Sequence, residues 1–208
     1  MTSAARVERD PIRVLKAGWV LLAADRRSGR FAGLSVGAPY RAHDRARCFR
    51  ERCPVDGNHA APHPRGTCGF YGSTGDPLAW MLPEAALLDV ELFGRVIRHE
   101  RGWRAGGQRV LGVRFLHGCA ACLRPVTGPL LVTAPAPVDT RGVLVAPRCA
   151  RCAQVWRSPS YGDVLEPAEL AGLLGTEVSW LDPVRSARVL QRQARSRRPG
   201  RPSRRIEH

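Results

Sequence analysis

Two pairs of cysteines constrain this chain more than any other feature. Cys119-Ala-Ala-Cys122 and Cys149-Ala-Arg-Cys152 each set two thiols three residues apart, and 26 residues (123–148) separate the pairs. Two thiolates at that spacing on a tight turn can both reach one ion at about 2.3 Å, and a second such turn completes a tetrahedron. Apolar segments, 113–116 and 143–146, precede the two pairs, as when a strand delivers each turn. The pattern therefore predicts a structural zinc ion held by Cys119, Cys122, Cys149 and Cys152. Four thiolates leave no open coordination position, so such an ion stabilises the fold and activates no water. A redox dithiol is the competing chemistry for Cys-x-x-Cys. Metal is preferred because there are two pairs and neither sits in a βαβ pattern.

The compartment expected from the sequence supports metal over disulfides. No apolar run reaches the roughly 18 to 20 residues that span a bilayer. Residues 1–10 are charged and lack the apolar segment of a secretory signal. The expectation is a cytoplasmic protein without a membrane partner, in a reducing environment where stable disulfides are rare. Seven cysteines, an odd number, also oppose complete pairing.

A second cluster falls in a stretch, 38–75, dense in Pro, Gly, His and Cys and poor in apolar periodicity. Such a stretch stays ordered only if something other than a core staples it. Cys48, Cys53, His59 and Cys68 would make a closed site of three thiolates and one imidazole, with His63 the alternative to His59. The same residue types also suit a cysteine nucleophile, Cys68, with His59 or His63 as base. No Gly-rich phosphate loop, His-Glu-x-x-His or Gly-x-Ser-x-Gly accompanies them, so no catalytic residue is assigned and a non-enzymatic role is preferred.

Elements read from the pattern are a strand pair at 12–23 and 31–36, a short helix at 83–88 and a hairpin of 89–100 with 103–115. They continue with strands at 130–133 and 143–146, a helix at 167–174 closed by Gly175, and a last helix opened by Asp182-Pro183. The resulting expectation is an α+β protein in four parts. These are a β-rich domain with the Cys/His-rich loop (1–112), a zinc ribbon (113–160), a helical region (161–195) and a disordered Arg-rich tail (196–208).

Two resemblances accompany this reading. Residues 113–156 resemble a zinc ribbon, a family found among nucleic-acid binders, enzymes and protein adaptors alike. His59-Ala-Ala-Pro62, Thr67-Cys68-Gly69-Phe70-Tyr71-Gly72, Val90-Glu-Leu-Phe-Gly-Arg-Val96 and Glu100-Arg-Gly-Trp-Arg-Ala105 resemble a group of uncharacterised actinobacterial proteins. In those a Cys-x-Cys-Gly-(aromatic or aliphatic)-Tyr segment precedes a Gly-x-Val-x-Leu-Trp-Gly strand and a Gly-Tyr-Arg-Ala turn. The likeness covers about 42–105 and brings no activity. Gly66 stands where the first cysteine of that segment would be, so either Cys53 substitutes as ligand or the site is lost.

Charge indicates the partner. Lys and Arg number 33 against 18 Asp and Glu, a net charge of +15, and a field of that size favours a polyanion. All but Lys16 of the basic residues are Arg, a skew that fits GC-rich codons. From Arg185 to the end there are nine Arg and one acid, Glu207. Nucleic acid, DNA or RNA, is the expected partner, contacted by Arg151, Arg157, Arg192, Arg195, Arg197, Arg198, Arg201, Arg204 and Arg205. Among Trp103, Trp156, Trp180, Phe70 and Tyr71, Trp156 is the favoured base-stacking residue because Arg151 and Arg157 flank it. The alternative partner is an acidic protein, such as a transcription or ribosomal component, engaged by the ribbon and hairpin.

Overall fold

A computed structural model describes residues 7–8, 10–34, 39–48, 53, 55, 59–136, 142–155 and 161–197. The chain is mostly β, 45% strand against 19% helix, built on a curled, largely antiparallel half-barrel. The strands are β1 (Val7–Glu8), β2 (Ile12–Ala23), β3 (Gly29–Gly33), β4 (His43–Arg45), β5 (Phe70–Ser73), β6 (Ala86–His99) and β7 (Gly102–Phe115). After them come β8 (Leu130–Pro135), β9 (Gly142–Arg148), α1 (Ala150–Val155), β10 (Val164–Leu165), α2 (Pro167–Leu174), β11 (Glu177–Trp180) and α3 (Pro183–Ser196). One sheet runs β10-β8-β9-β2-β6-β7-β11, with β1 on β6, β3 on β2, and β4 and β5 on β7.

The curl has identifiable causes. Register shifts between Asp89 and Val90 and between Phe93 and Val96 bend the long β6–β7 hairpin. Gly18 pairs with both Gly33 and Ala86, and Leu21 with both Arg30 and Leu144. One residue cannot pair twice on the same edge, so β3 follows one edge of β2 while β6 and then β9 follow the other. A side chain at Gly18 would press on Leu88 Cδ1 at 2.8 Å and on the Ala32 carbonyl at 3.0 Å. Glycine is what allows the strands to converge there.

Both faces of the sheet are buried, which is why β2 reads as an apolar run without alternation. Val20 and Leu22 join Phe31, Leu88, Leu92, Val113 and Phe115 on one face, which α2 covers with Leu170 and Leu174. Trp19 and Leu21 join Leu87, Leu116, Leu144 and Met81 on the other, which α3 covers with Val189 and Leu190. Asp182 caps α3 by accepting a hydrogen bond from the Arg185 amide at 3.0 Å, and Gly175 closes α2 at φ 67°.

The expected α+β class is therefore wrong. The strands assigned to a separate ribbon, β8 and β9, pair with each other and continue the main sheet through β2. The helices are short covers on its two faces. Residues 83–88 form no helix, because Ala86–Leu88 already belong to β6, and the nearby helical turn is a 3-10 turn at Pro77–Ala79. Of the expected tail, Ser196 ends α3 and Arg197 caps it, while 198–208 lie outside the described residues.

Candidate metal centres

Strand β7 carries the chain directly to the first cysteine pair. Past Phe115 the chain turns tightly. The Cys119 amide donates to the Arg124 carbonyl at 2.9 Å, the Leu123 amide to the Cys119 carbonyl at 2.9 Å, and Leu123 adopts a left-handed φ of 59°. Strand β9 delivers the second pair: the Ala120 amide donates to the Pro147 carbonyl at 2.9 Å, tying the two turns together, and α1 opens immediately after Cys149. The potential ligand atoms of Cys119, Cys122, Cys149 and Cys152 lie within 4.8 Å of one another. This group could hold a metal ion.

Helix α3 is fastened to the same turn. The His117 amide donates to Ser186 Oγ at 2.8 Å, and Ser186 Oγ donates to the Leu181 carbonyl at 3.2 Å. A side chain at Gly118 would strike Leu190 Cδ1 at 2.4 Å, so helix and cysteine turn are in close contact.

The second group gathers Cys48, Cys53, His59 and Cys68, again within 4.8 Å. His59 Nε2 lies 3.5 Å from Cys53 Sγ and 3.4 Å from Cys68 Sγ. His63 stays outside: its ring sits 5.0 Å from that of His59, its Nδ1 accepts from the Arg65 amide, and its own amide donates to Cys68 Sγ at 3.4 Å. Several thiols converging on one imidazole nitrogen is ligand geometry, unlike the single pair a nucleophile and its base require.

Gly66 explains how the group closes without a cysteine at that position. A Cβ there would lie 2.9 Å from Cys53 Sγ and 3.5 Å from Cys68 Sγ. The Cys53 sulfur thus occupies space that a side chain at 66 would enter. Cys53→Ser is expected to remove the ion from this group, and adding Gly66→Cys to that variant is expected to restore it, as counted by elemental analysis of metal per chain.

Each group mixes thiols of opposite tendency. Burial pushes Cys48 up to about 11, while the Val55 amide, outweighing burial, brings Cys53 down to about 7. Burial opposes ionisation of Cys119, but the amides of Cys122 and Cys149 and the Cys122 thiol bring it down to about 7. Burial pushes Cys152 up to about 12 and also raises Cys122. Metal must displace the protons these raised thiols retain, so uptake releases protons.

A buried arginine, which the sequence reading passed over, supports the second group. Arg104 is 4% exposed. It donates to the carbonyls of Gly66, of Cys68 at 3.4 Å and of Pro64 at 3.3 Å, and through Nε to His99 Nε2 at 2.7 Å. It holds the backbone that presents Cys68. Its cue in the sequence was the Trp-Arg-Ala turn, with no sign that the arginine pointed inward.

Of the other expected contacts, Arg151 is exposed on α1, Arg192 and Arg195 lie on α3, and Arg197 pairs with Glu84 at 3.6 Å. Trp156, Arg157, Arg198, Arg201, Arg204 and Arg205 lie outside the described residues. Trp103, Trp180 and Phe70 pack against the core, and the exposed Tyr71 hydroxyl donates to the Thr67 carbonyl. Comparisons with protein-family models, curated proteins and solved structures found no match. They lend no support to the zinc-ribbon or actinobacterial resemblance. Among the described residues no helix is long and apolar enough to cross a membrane.

Proposed function

We propose that this chain is a zinc-dependent, non-enzymatic nucleic-acid-binding protein. Zinc suits the donors: thiolate and imidazole are its preferred ligands, and at Zn–S of ~2.3 Å and Zn–N of ~2.0 to 2.1 Å a tetrahedral ion sets a sulfur-to-nitrogen edge of about 3.6 Å. His59 meets two sulfurs at 3.5 and 3.4 Å.

The observation that carries the nucleic-acid reading is the open face of α3. Arg188, Arg192 and Arg195 line one open groove there with Gln191 and Ser196, and residues 183–196 contain no acid. The arginine-dense segment that follows continues the same charge. Through Ser186 and Gly118 the helix rests on the first cysteine group, so a metal ion there would hold the basic face in place. Arginine binds phosphate with two parallel hydrogen bonds, which suits a sugar–phosphate backbone.

A salt titration tests this. Deleting 199–208 removes Arg201, Arg204 and Arg205, so the slope of log K against log salt should fall by about 2 on a single strand or about 2.7 on a duplex. Fluorescence anisotropy of a labelled oligonucleotide reads both slopes. An unchanged slope, with one acidic protein copurifying, would favour the adaptor role instead.

A further inference from the structure

On the reading that this chain binds nucleic acid, we infer that it holds a single strand at a composite site made by Trp80 and the arginine stripe of α3. Residues 185, 188, 192 and 195 are spaced three, four and three apart, so their side chains share one face and extend for ~15 Å along the helix. Ser186, Val189 and Leu190, around the adjoining side of the helix, are buried.

Trp80 comes from about 110 positions earlier in the sequence. It follows the Pro77–Ala79 turn and is 46% exposed, with Leu82 beside it at 37%. Its loop is fastened to α3: the Met81 carbonyl accepts from Arg192 Nη2 at 3.4 Å and from Gln193 Nε2 at 3.2 Å. Met81 itself is fully buried and packs in the apolar cluster with Val189 and Leu190. Trp80 and Leu82 are therefore the exposed residues on either side of the one whose carbonyl Arg192 grips.

The combination selects the ligand. Guanidinium groups alone fit any polyanion, duplex included. A large exposed aromatic one residue from a backbone group bonded to that arginine stripe adds a surface on which an unpaired base stacks, whatever its identity. In a duplex the bases are already stacked and an indole on the protein surface has none to receive. A protein partner would satisfy the arginines through carboxylates and would not need bases.

The test uses the full metal-loaded chain and two labelled probes of equal length, oligo-dT and a mixed-sequence duplex. Trp80→Ala should weaken oligo-dT binding roughly 10-fold and leave duplex binding within about twofold. Arg188→Gln with Arg195→Gln should lower the single-strand salt slope by about 1.4. Oligo-dT should also quench a component of the tryptophan fluorescence that is absent from Trp80→Ala. Metal content and melting temperature, unchanged in both variants, show that the fold persists. If the wild type binds but Trp80→Ala alters neither probe, or weakens both equally, the composite site is wrong while the nucleic-acid reading stands. If the wild type binds neither probe, that reading falls and the site with it.

Discussion

Replacing Cys149 and Cys152 together by serine is expected to lower zinc from two ions per chain to one, and to reduce the melting temperature by at least about 10 °C. Structural zinc contributes on the order of 10 to 16 kcal/mol of apparent binding free energy in small domains. The whole stability of a domain is on the order of 5 to 15 kcal/mol. Two serines leave the ion only two thiolates, and Cys119 is fully buried in the turn whose Ala120 amide donates to the Pro147 carbonyl. The sheet keeps its two apolar clusters, so the loss is partial. Net destabilisation of about 5 kcal/mol corresponds to roughly 10 to 20 °C in a chain of this size. Elemental analysis with calorimetry on both proteins reads the result. Two ions persisting in the variant would reject this centre, and a wild type without zinc would turn attention to redox dithiols.

Elements whose signals are local were legible in the sequence. The β2 run, the β6–β7 hairpin, which turns at Glu100-Arg101, one residue before the expected Arg101-Gly102, and the caps at Gly175 and Asp182-Pro183 all depend on neighbours within a few residues. The structure also brings together the two cysteine groups that spacing indicated, with His59 in and His63 out. How the pieces join was not legible. That β9 extends β2, and that β11 runs parallel to β7 from Glu177 to Trp180, are pairings across more than sixty residues. No periodicity encodes them, and that is why a separate ribbon domain was a reasonable expectation and one continuous sheet the outcome.

The same limit applied to single residues. Trp80 sits in a Pro- and Gly-rich stretch with no arginine close by in sequence, and the arginine that bonds the next residue's carbonyl, Arg192, arrives on α3, about 110 positions later. Trp103 and Trp180 lie nearer to arginines in sequence yet pack inward. Among these three tryptophans, nearness to arginine along the chain does not track exposure, while Trp156, the favoured stacking residue, lies outside the described residues.

Arg104→Met, which keeps most of the volume and removes every donor, is expected to destabilise the chain by roughly 3 kcal/mol or more. It should also release the ion of the Cys48, Cys53, His59 and Cys68 group while sparing the other. The carbonyls of Pro64, Gly66 and Cys68 lose a shared donor, and each buried acceptor left unsatisfied costs about 1 to 3 kcal/mol. A zinc ion with three thiolates and an imidazole carries about one negative charge, which the guanidinium offsets. Arg104→Lys keeps that charge but lacks the planar fork, so it should fall between wild type and Met. Acidification should mimic the defect. Burial and the Arg104 charge hold His99 below its ordinary 6.5, so it is neutral and able to accept from Arg104 Nε. A depressed imidazole contributes stability that is present above pH 6.5 and lost as pH falls through its folded value. A His99→Gln variant, retaining an acceptor that does not titrate, should lose that part of the pH dependence in urea unfolding between pH 7 and pH 5. Equal pH dependence in both proteins, with zinc unchanged in Arg104→Met, would show that Arg104 is only a buried strut and does not organise the metal loop.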